Sequence, residues 1–197
     1  KYGIKEIDFY SSELEVVPAF KAKDLGFDRS MVAAYGQDDR VCAYATLKAL
    51  TDANAKDKTI VSIFADKEEI GSVGNTGMCS QMFDLFINEL LNKKGENTPG
   101  ALNKTYCNSM MLSDANAEFV AKVRRIFEEK SVKYQVSELG KVDLGGGGTI
   151  AYILADKGMD VIDCGVPVIS MHSPYEVTSK FDIYSAYLAY KAFFEED

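Results

Sequence analysis

Hydrophobic positions along the chain follow two spacings. Apolar residues recur at every third or fourth position over 40–53, 78–94 and 113–130, which predicts helices that each turn one face to a core. Two further helices are predicted over 149–158 and 179–196. Compact apolar runs predict strands over 12–20, 30–35, 58–65, 104–112, 132–138 and 159–171. This alternation predicts an α/β fold with a central mixed, mainly parallel sheet and helices on both faces.

Length, composition and charge narrow the class of protein. The 197 residues are 47% hydrophobic, which is enough for one domain with a sizeable core. The net charge of −8 argues against a nucleic-acid partner, because such binding needs clustered Lys and Arg. No apolar run is long enough to span a bilayer, and the opening KYGIKEIDFY does not resemble a signal peptide. We therefore expect a cytoplasmic protein without nucleic-acid or membrane partners.

The four cysteines stand singly along the chain, without a CxxC pair. This pattern favours reduced thiols that fill the core over a disulfide framework or a zinc knuckle. The cysteines concerned are Cys42, Cys79, Cys107 and Cys164.

One loop between a predicted strand and a helix carries a pair of aspartates, Asp38 and Asp39. Such a pair is typical of a helix cap with a solvated neighbour as well as of a functional site, and the pair alone leaves both interpretations open.

A second loop carries the adjacent glutamates Glu68 and Glu69, directly after the apolar run TIVSIFA. Adjacent residues serve one site only where the chain leaves the strand and turns, as Gly71 and Gly74 permit. Two close carboxylates repel each other unless a cation neutralises them. A metal would allow one glutamate to act as a ligand and the other to accept a proton, whereas two solvated glutamates remain the alternative.

The only histidine and a glycine run complete the candidate chemistry. His172 follows the apolar strand VIDCGVPVI, where a ligand is easily presented, although a lone histidine is often a packed or surface residue. The four glycines at 145–148 allow close backbone approach to a ligand or simply a tight turn. No lysine follows them in P-loop spacing.

Four segments, taken in chain order, resemble the M18 family of metalloaminopeptidases, which is the aspartyl aminopeptidase and aminopeptidase I group. These segments are YGQDDRVCAYATLKAL, DKEEIGSVGNTGM, ELGKVDLGGGGTIA and DVIDCGVPVISMHSPYEVTSKFD. They look closest to the bacterial members of the family. The resemblance covers nearly the whole chain. It implies a zinc-peptidase-like (phosphorylase/hydrolase-like) fold and an enzyme that removes the N-terminal residue of peptides. It further implies two divalent metal ions, zinc or else cobalt or manganese, and assembly into a homo-oligomer, a dodecamer in relatives.

Matched residue by residue, the resemblance makes Asp38 the ligand that bridges the two ions, Glu69 a ligand of one ion and His172 a ligand of the other. Glu68 matches the general base, which would take a proton from a water held between the ions and pass it to the leaving amine. Asp39 matches a position where relatives often have a cis peptide. The residues expected on the substrate side are Asp39, Asp143, Gly146 and Gly147.

The chain also departs from the family pattern. The family has an N-terminal His-x-Asp motif, and no histidine precedes His172 here. The stretch MMLSDANAEFVAKVR resembles two separate segments of the family joined together. Asp114 therefore matches the helix-cap position of the second segment better than the aspartate of the first segment, which is a further metal ligand in the family. We therefore expect residues 1–197 to form a catalytic-type domain lacking the N-terminal portion and most of the assembly domain, with an internal gap near 113–114.

Two other functions stay open on the sequence. A non-catalytic or truncated M18-like subunit with an incomplete metal site would keep the fold without the ligands. An α/β protein that binds a nucleotide or phosphate would use the glycine run at 145–148 and would not bring the carboxylates together.

Overall fold

Two sheets form the framework of the computed structural model, which describes residues 1–112, 117–136 and 150–196. The larger sheet has four strands in the order β1-β2-β6-β5, and every neighbouring pair is antiparallel. The smaller sheet pairs β3 with β4 in parallel. The strands are Lys23–Leu25 (β1), Met31–Ala34 (β2), Met110–Met111 (β3), Asp160–Val161 (β4), Val168–Ile169 (β5) and Glu176–Ser179 (β6).

Two of the six α-helices among the described residues pack closely against each other through small residues. The six are Gln37–Asp52 (α1), Met82–Lys94 (α2), Ala101–Cys107 (α3), Ala117–Glu129 (α4), Ala151–Ala155 (α5) and Lys180–Phe194 (α6). Helix α1 packs chiefly against α6, and α6 also contacts α4. Ala45 and Ala49 of α1 are completely buried, and Ala186 of α6 belongs to the same cluster, so the two helices approach closely.

Some predicted helices are present in the structure at the expected positions, with a cap or a buried face that accounts for them. The prediction over 40–53 corresponds to most of α1, and the prediction over 179–196 corresponds to α6. Ser179 begins α6 as its N-cap, where the side chain accepts a hydrogen bond from the Asp182 N–H at 3.3 Å. The apolar stripe predicted within 113–130 lies on α4, where Phe119, Val123 and Ile126 are at most 3% exposed and Val120 is half-buried.

The expectation of a mainly parallel sheet is not confirmed, because the larger sheet of the described residues is antiparallel. The predicted strand over 58–65 is also wrong. That run contains no strand, and the nearest pairing is an isolated bridge between Asp66 and Gly77. An apolar run becomes a strand only where a neighbour offers a ladder of hydrogen-bond partners, and the described residues supply one bridge there.

Other strand predictions fail for local reasons. The segment 104–112 is helical up to Cys107, where Thr105 Oγ1 donates back to the Ala101 carbonyl at 2.9 Å, and only β3 remains extended. Residues 12–20 are largely exposed and form no strand. The segment 159–171 contains two short strands, β4 and β5, since a central Gly-Val-Pro interrupts it.

All four cysteines are free, as the sequence predicts. Cys42 and Cys164 pack against the core between α1 and α6, where burial raises the pKa of the Cys164 thiol to about 12. Cys79 and Cys107 are exposed, so the expectation that every cysteine fills the core is wrong for these two. Among the described helices, none has the length and apolar character needed to cross a bilayer.

Candidate metal centre

Three side chains from distant parts of the chain meet at one point. His172 Nε2 lies 3.0 Å from Asp38 Oδ2 and 3.1 Å from Glu69 Oε1. One ligand atom from each of the three residues falls within 4.8 Å of the other two. The group faces solvent, because the side chains of His172 and Glu69 are 62% and 57% exposed. Two carboxylates and one imidazole are therefore available to a cation that enters from solvent.

Asp38 is presented where β2 passes into α1. Gly36 has a left-handed φ of 66°, and Asp38 itself has the non-helical angles φ −81° and ψ 111°. The peptide bond between Asp38 and Asp39 is cis, in agreement with the resemblance. Asp39, the next residue, is exposed. The first turn of α1 thus carries Asp38 out of the helical path and toward the other two side chains.

Glu68 and Glu69 lie in a 3-10 helix, Glu68–Ile70, whose two flanking residues are left-handed. Lys67 has φ 68° and Gly71 has φ 91°, and the turn is closed by a hydrogen bond from the Ser72 N–H to the Lys67 carbonyl at 2.8 Å. The turn predicted from the glycines is therefore present. It brings the two adjacent carboxylates to one region, whereas an extended strand would point them to opposite sides.

His172 lies in the loop between β5 and β6 with a left-handed φ of 63°. The backbone N–H of His172 donates to Glu176 Oε1 at 2.8 Å. Glu176 is 2% exposed, and its importance was missed in the sequence. The signal that could have indicated Glu176 is its place at the first position of a short strand, four residues after the only histidine in the sequence.

The charges in this group act against one another. Burial and then the charge of Glu69 raise the pKa of Asp38, and the hydrogen bond from His172 only partly opposes this. The negative charge of Glu69 is also the largest cause of the raised pKa of His172. Two carboxylate oxygens compete for the proton of one imidazole nitrogen, whereas a zinc-type ion can bind all three of these oxygen and nitrogen atoms.

Glu68 is placed and tuned differently from its neighbour. Burial raises the pKa of its carboxyl, and the negative charges of Glu69 and Asp38 raise it further. Its carboxylate is not part of the group of three ligand atoms. A carboxylate whose pKa is raised beside a metal site is suited to accept a proton during a reaction.

The remaining predicted residues cannot be placed. Asp114, Asp143, Gly146 and Gly147 lie outside the described residues, as does the junction at 113–114. The part of the predicted site that the structure brings together is therefore Asp38, Glu69 and His172, with Glu68 alongside.

Comparison with known proteins decides the family. The family model described as "Aminopeptidase I zinc metalloprotease (M18)" matches residues 1–120 and 113–194. The chain belongs to the M18 family. A "Probable M18 family aminopeptidase 1" of Clostridium acetobutylicum is 44% identical over an alignment of 235 positions, which covers 98% of this chain and 50% of the relative. The chain thus spans about half the length of the curated M18 relatives that it matches.

Solved M18 structures share the fold. The crystal structure of an M18-family aminopeptidase from Thermotoga maritima superposes with a TM-score of 0.91 at 40% identity, covering 100% of this chain and 53% of that one. The mApe1 dodecamer of Saccharomyces cerevisiae matches with a TM-score of 0.70 over 90% of this chain and 49% of that one. Its identity of 20% makes it a likeness of fold alone.

Proposed function

We propose that the protein is a metal-dependent aminopeptidase that removes N-terminal residues from peptides at this site. The observation that carries the proposal is the convergence of Asp38, Glu69 and His172 from three separate parts of the chain. All three residues lie within the ranges that the family model matches, and that model describes zinc metalloproteases. Zinc is therefore the ion proposed, with cobalt or manganese as substitutes that accept the same donors.

The proposed chemistry divides the two glutamates. A zinc-type ion, when bound, supplies Lewis acidity that polarises a peptide carbonyl and makes water easier to deprotonate. Glu69, with Asp38 and His172, holds the ion. Glu68, whose carboxylate lies beside the three ligand residues without joining them, would accept the proton of the attacking water and then donate it to the leaving amine.

We also propose that the site takes two ions, which Asp38 would hold together. A carboxylate has two oxygens and can serve two ions, whereas Glu69 and His172 would each serve one. Three protein ligands are few for two ions, so the second ion needs donors beyond the three that meet here. This shortage favours the alternative function, a truncated M18-like subunit with an incomplete metal site.

An internal omission near 113–114 would explain the shortage, and we propose one. The alignment with the Clostridium relative spans 235 positions whereas this chain has 197 residues, so at least 38 aligned positions, the difference between the two, lack a residue here. The family model also matches in two parts that meet over 113–120. Mass spectrometry tests this: a tryptic peptide with the mass of continuous residues 105–122, from the protein in its source cells, contradicts the omission.

Two further properties are proposed for the intact protein. Assembly into a homo-oligomer is supported by the dodecamer of a relative with the same fold. A cytoplasmic location rests on the sequence alone. Gel filtration with light scattering tests the first, and cell fractionation tests the second.

The decisive experiment separates the roles of the adjacent glutamates. Peptides with a panel of N-terminal residues are incubated with the intact protein and the variants Glu68→Gln and Glu69→Gln, with and without added zinc, cobalt or manganese. We expect Glu68→Gln to keep its bound metal and lose activity by about 100-fold or more, and Glu69→Gln to lose metal as well. Cleavage that Glu68→Gln leaves undiminished would contradict the role of Glu68 as base. A wild-type protein that holds metal but cleaves no peptide would favour the non-catalytic alternative.

A further inference from the structure

Beneath the three ligands lies a buried carboxylate that none of the family-derived roles includes. Glu176 begins β6 and is 2% exposed. Its two oxygens divide their contacts between two ligand-bearing segments. Oε2 accepts the N–H of Gln37 and, at 3.1 Å, the N–H of Asp38. Oε1 accepts the N–H of His172 at 2.8 Å.

The partners of this carboxylate are backbone groups, not side chains. A buried carboxylate is strongly disfavoured unless hydrogen bonds replace the water it loses, and here three peptide N–H groups supply them. Two of those groups belong to the candidate ligands Asp38 and His172 themselves. The same interaction that makes Glu176 tolerable in the interior therefore fixes the backbone of both ligands.

Gln37 strengthens this arrangement from the other side. It is 6% exposed, and its side-chain amide donates to the carbonyls of Val32 at 2.9 Å and Glu176 at 2.8 Å. Antiparallel pairing of β2 with β6 sets Ala34 opposite Glu176. The start of α1 is thus tied to β6 through both the side chain and the backbone of Glu176.

We infer that Glu176 is a positioning residue that holds Asp38 and His172 in ligating geometry before any metal binds. The inference rests on the proposed function. Asp38 and His172 are 134 positions apart along the chain, and His172 has a left-handed φ of 63°. One rigid carboxylate that bonds to both segments keeps their side chains 3.0 Å apart.

The geometry requires a glutamate. Glutamine offers one acceptor oxygen and one NH₂ group, so at least one of the two ligand segments would face a donor instead of an acceptor. Aspartate is one methylene shorter and cannot reach both segments from the same backbone position. Glu176→Gln is therefore the sharpest substitution, because it preserves shape and removes one acceptor.

Thr178 provides a matched control on the same strand. It lies two residues along β6, on the same side as Glu176, and is 1% exposed. Its hydroxyl has no hydrogen-bond partner among the described residues. Thr178→Val therefore alters a buried polar side chain of β6 without removing a contact to a ligand segment.

The test measures zinc affinity and amide protection separately. Zinc is titrated into the metal-free protein against a chromophoric chelator, and hydrogen exchange is followed at the backbone amides of Asp38 and His172. We expect Glu176→Gln to weaken zinc binding at least tenfold and to speed exchange of at least one of these amides, with Thr178→Val matching the wild type in both. A purely structural role would lower the unfolding temperature and leave the zinc affinity of the folded protein unchanged, which would overturn the inference.

The unaltered protein supplies a readout that does not depend on the variant folding. In metal-free wild type, the Asp38 and His172 amides should exchange at least tenfold more slowly than unbonded loop amides. Fast exchange at both would overturn the inference. If wild type binds no zinc but both amides are protected, the positioning interaction stands and it is the proposed metal function that fails.

Discussion

His172 Nε2 lies 3.0 Å from Asp38 Oδ2, although 134 residues separate the two along the chain. Glu69 Oε1 approaches the same nitrogen to 3.1 Å. One imidazole nitrogen carries at most one proton and can donate it well to only one of two carboxylates. A divalent cation, in contrast, accepts electron pairs from all three groups at once. The contact between His172 and Asp38 is therefore better suited to a metal than to a proton.

Removal of a ligand should abolish tight metal binding. We expect His172→Ala to weaken zinc binding by more than about 100-fold, because loss of a direct ligand exceeds the usual effect of losing its supporting contacts. Chelator competition measures the change. Asp24→Asn is the control, since Asp24 is an exposed carboxylate paired with Lys180 and should leave the affinity unchanged. Wild-type zinc affinity in His172→Ala would remove this residue from the site.

The loop that carries Glu69 depends on a glycine at position 77. A Cβ added to Gly77 would lie 2.2 Å from the Ser72 carbonyl oxygen, which also accepts the Cys79 N–H at 3.0 Å. We expect Gly77→Ala to displace the loop and lower zinc affinity at least tenfold, as measured by titration.

Gly74 gives the matched comparison for that loop. It has φ 94°, but an added Cβ would meet no atom within 4 Å. Gly74→Ala should therefore cost about 1–2 kcal/mol of stability through backbone strain and leave the zinc affinity near the wild-type value. Equal zinc affinities in the two glycine variants would contradict the steric role of Gly77.

Stability in acid should depend on Asp84. Burial acts to raise the pKa of this carboxyl, but hydrogen bonds from Lys157 and Tyr106 outweigh it, and the net pKa is below its usual range. A lowered pKa gives stability that is fully present above the unfolded pKa of about 3.9 and is lost as the pH falls through the folded value. We expect Asp84→Asn to cost about 1–3 kcal/mol at pH 7, with the difference from wild type narrowing below about pH 4.

Urea unfolding at pH 7, pH 5 and pH 3.5 measures this difference. Tyr106→Phe is the control, because it removes one donor at 2.7 Å and keeps the pair between Lys157 and Asp84. A gap between Asp84→Asn and wild type that stays constant down to pH 3.5 would show that the charge of Asp84 is not the stabilising feature.

A buried hydroxyl joins α6 to the segment before β5. Tyr190 is 5% exposed, and its hydroxyl donates to the Cys164 carbonyl at 2.7 Å. Tyr190→Phe leaves that carbonyl without its donor and should destabilise the fold by about 1–3 kcal/mol. Tyr184→Phe, on the same helix but 56% exposed, should change stability by less than about 0.5 kcal/mol. Denaturant unfolding compares the two, and equal effects would contradict the buried bond.

Part of the fold could be read from local pattern alone. The period of three or four residues in 40–53 and 113–130 marks α1 and α4, because a helix repeats its buried face at that interval. Strands are less well predicted from local pattern. The run at 58–65 has the composition of a buried strand, yet a strand needs a neighbouring strand to pair with, and pairing is not a local property.

The candidate site divides in the same way. Residue type and position along the chain were enough to predict Asp38, Glu69 and His172 as metal ligands, through the resemblance of their segments to the M18 family. The folded structure was needed to show that their side chains meet, and that the buried Glu176 carboxylate accepts hydrogen bonds from the backbone of two of them. Spacing along a chain reports local periodicity, whereas a contact across 134 residues depends on how helices and strands pack together.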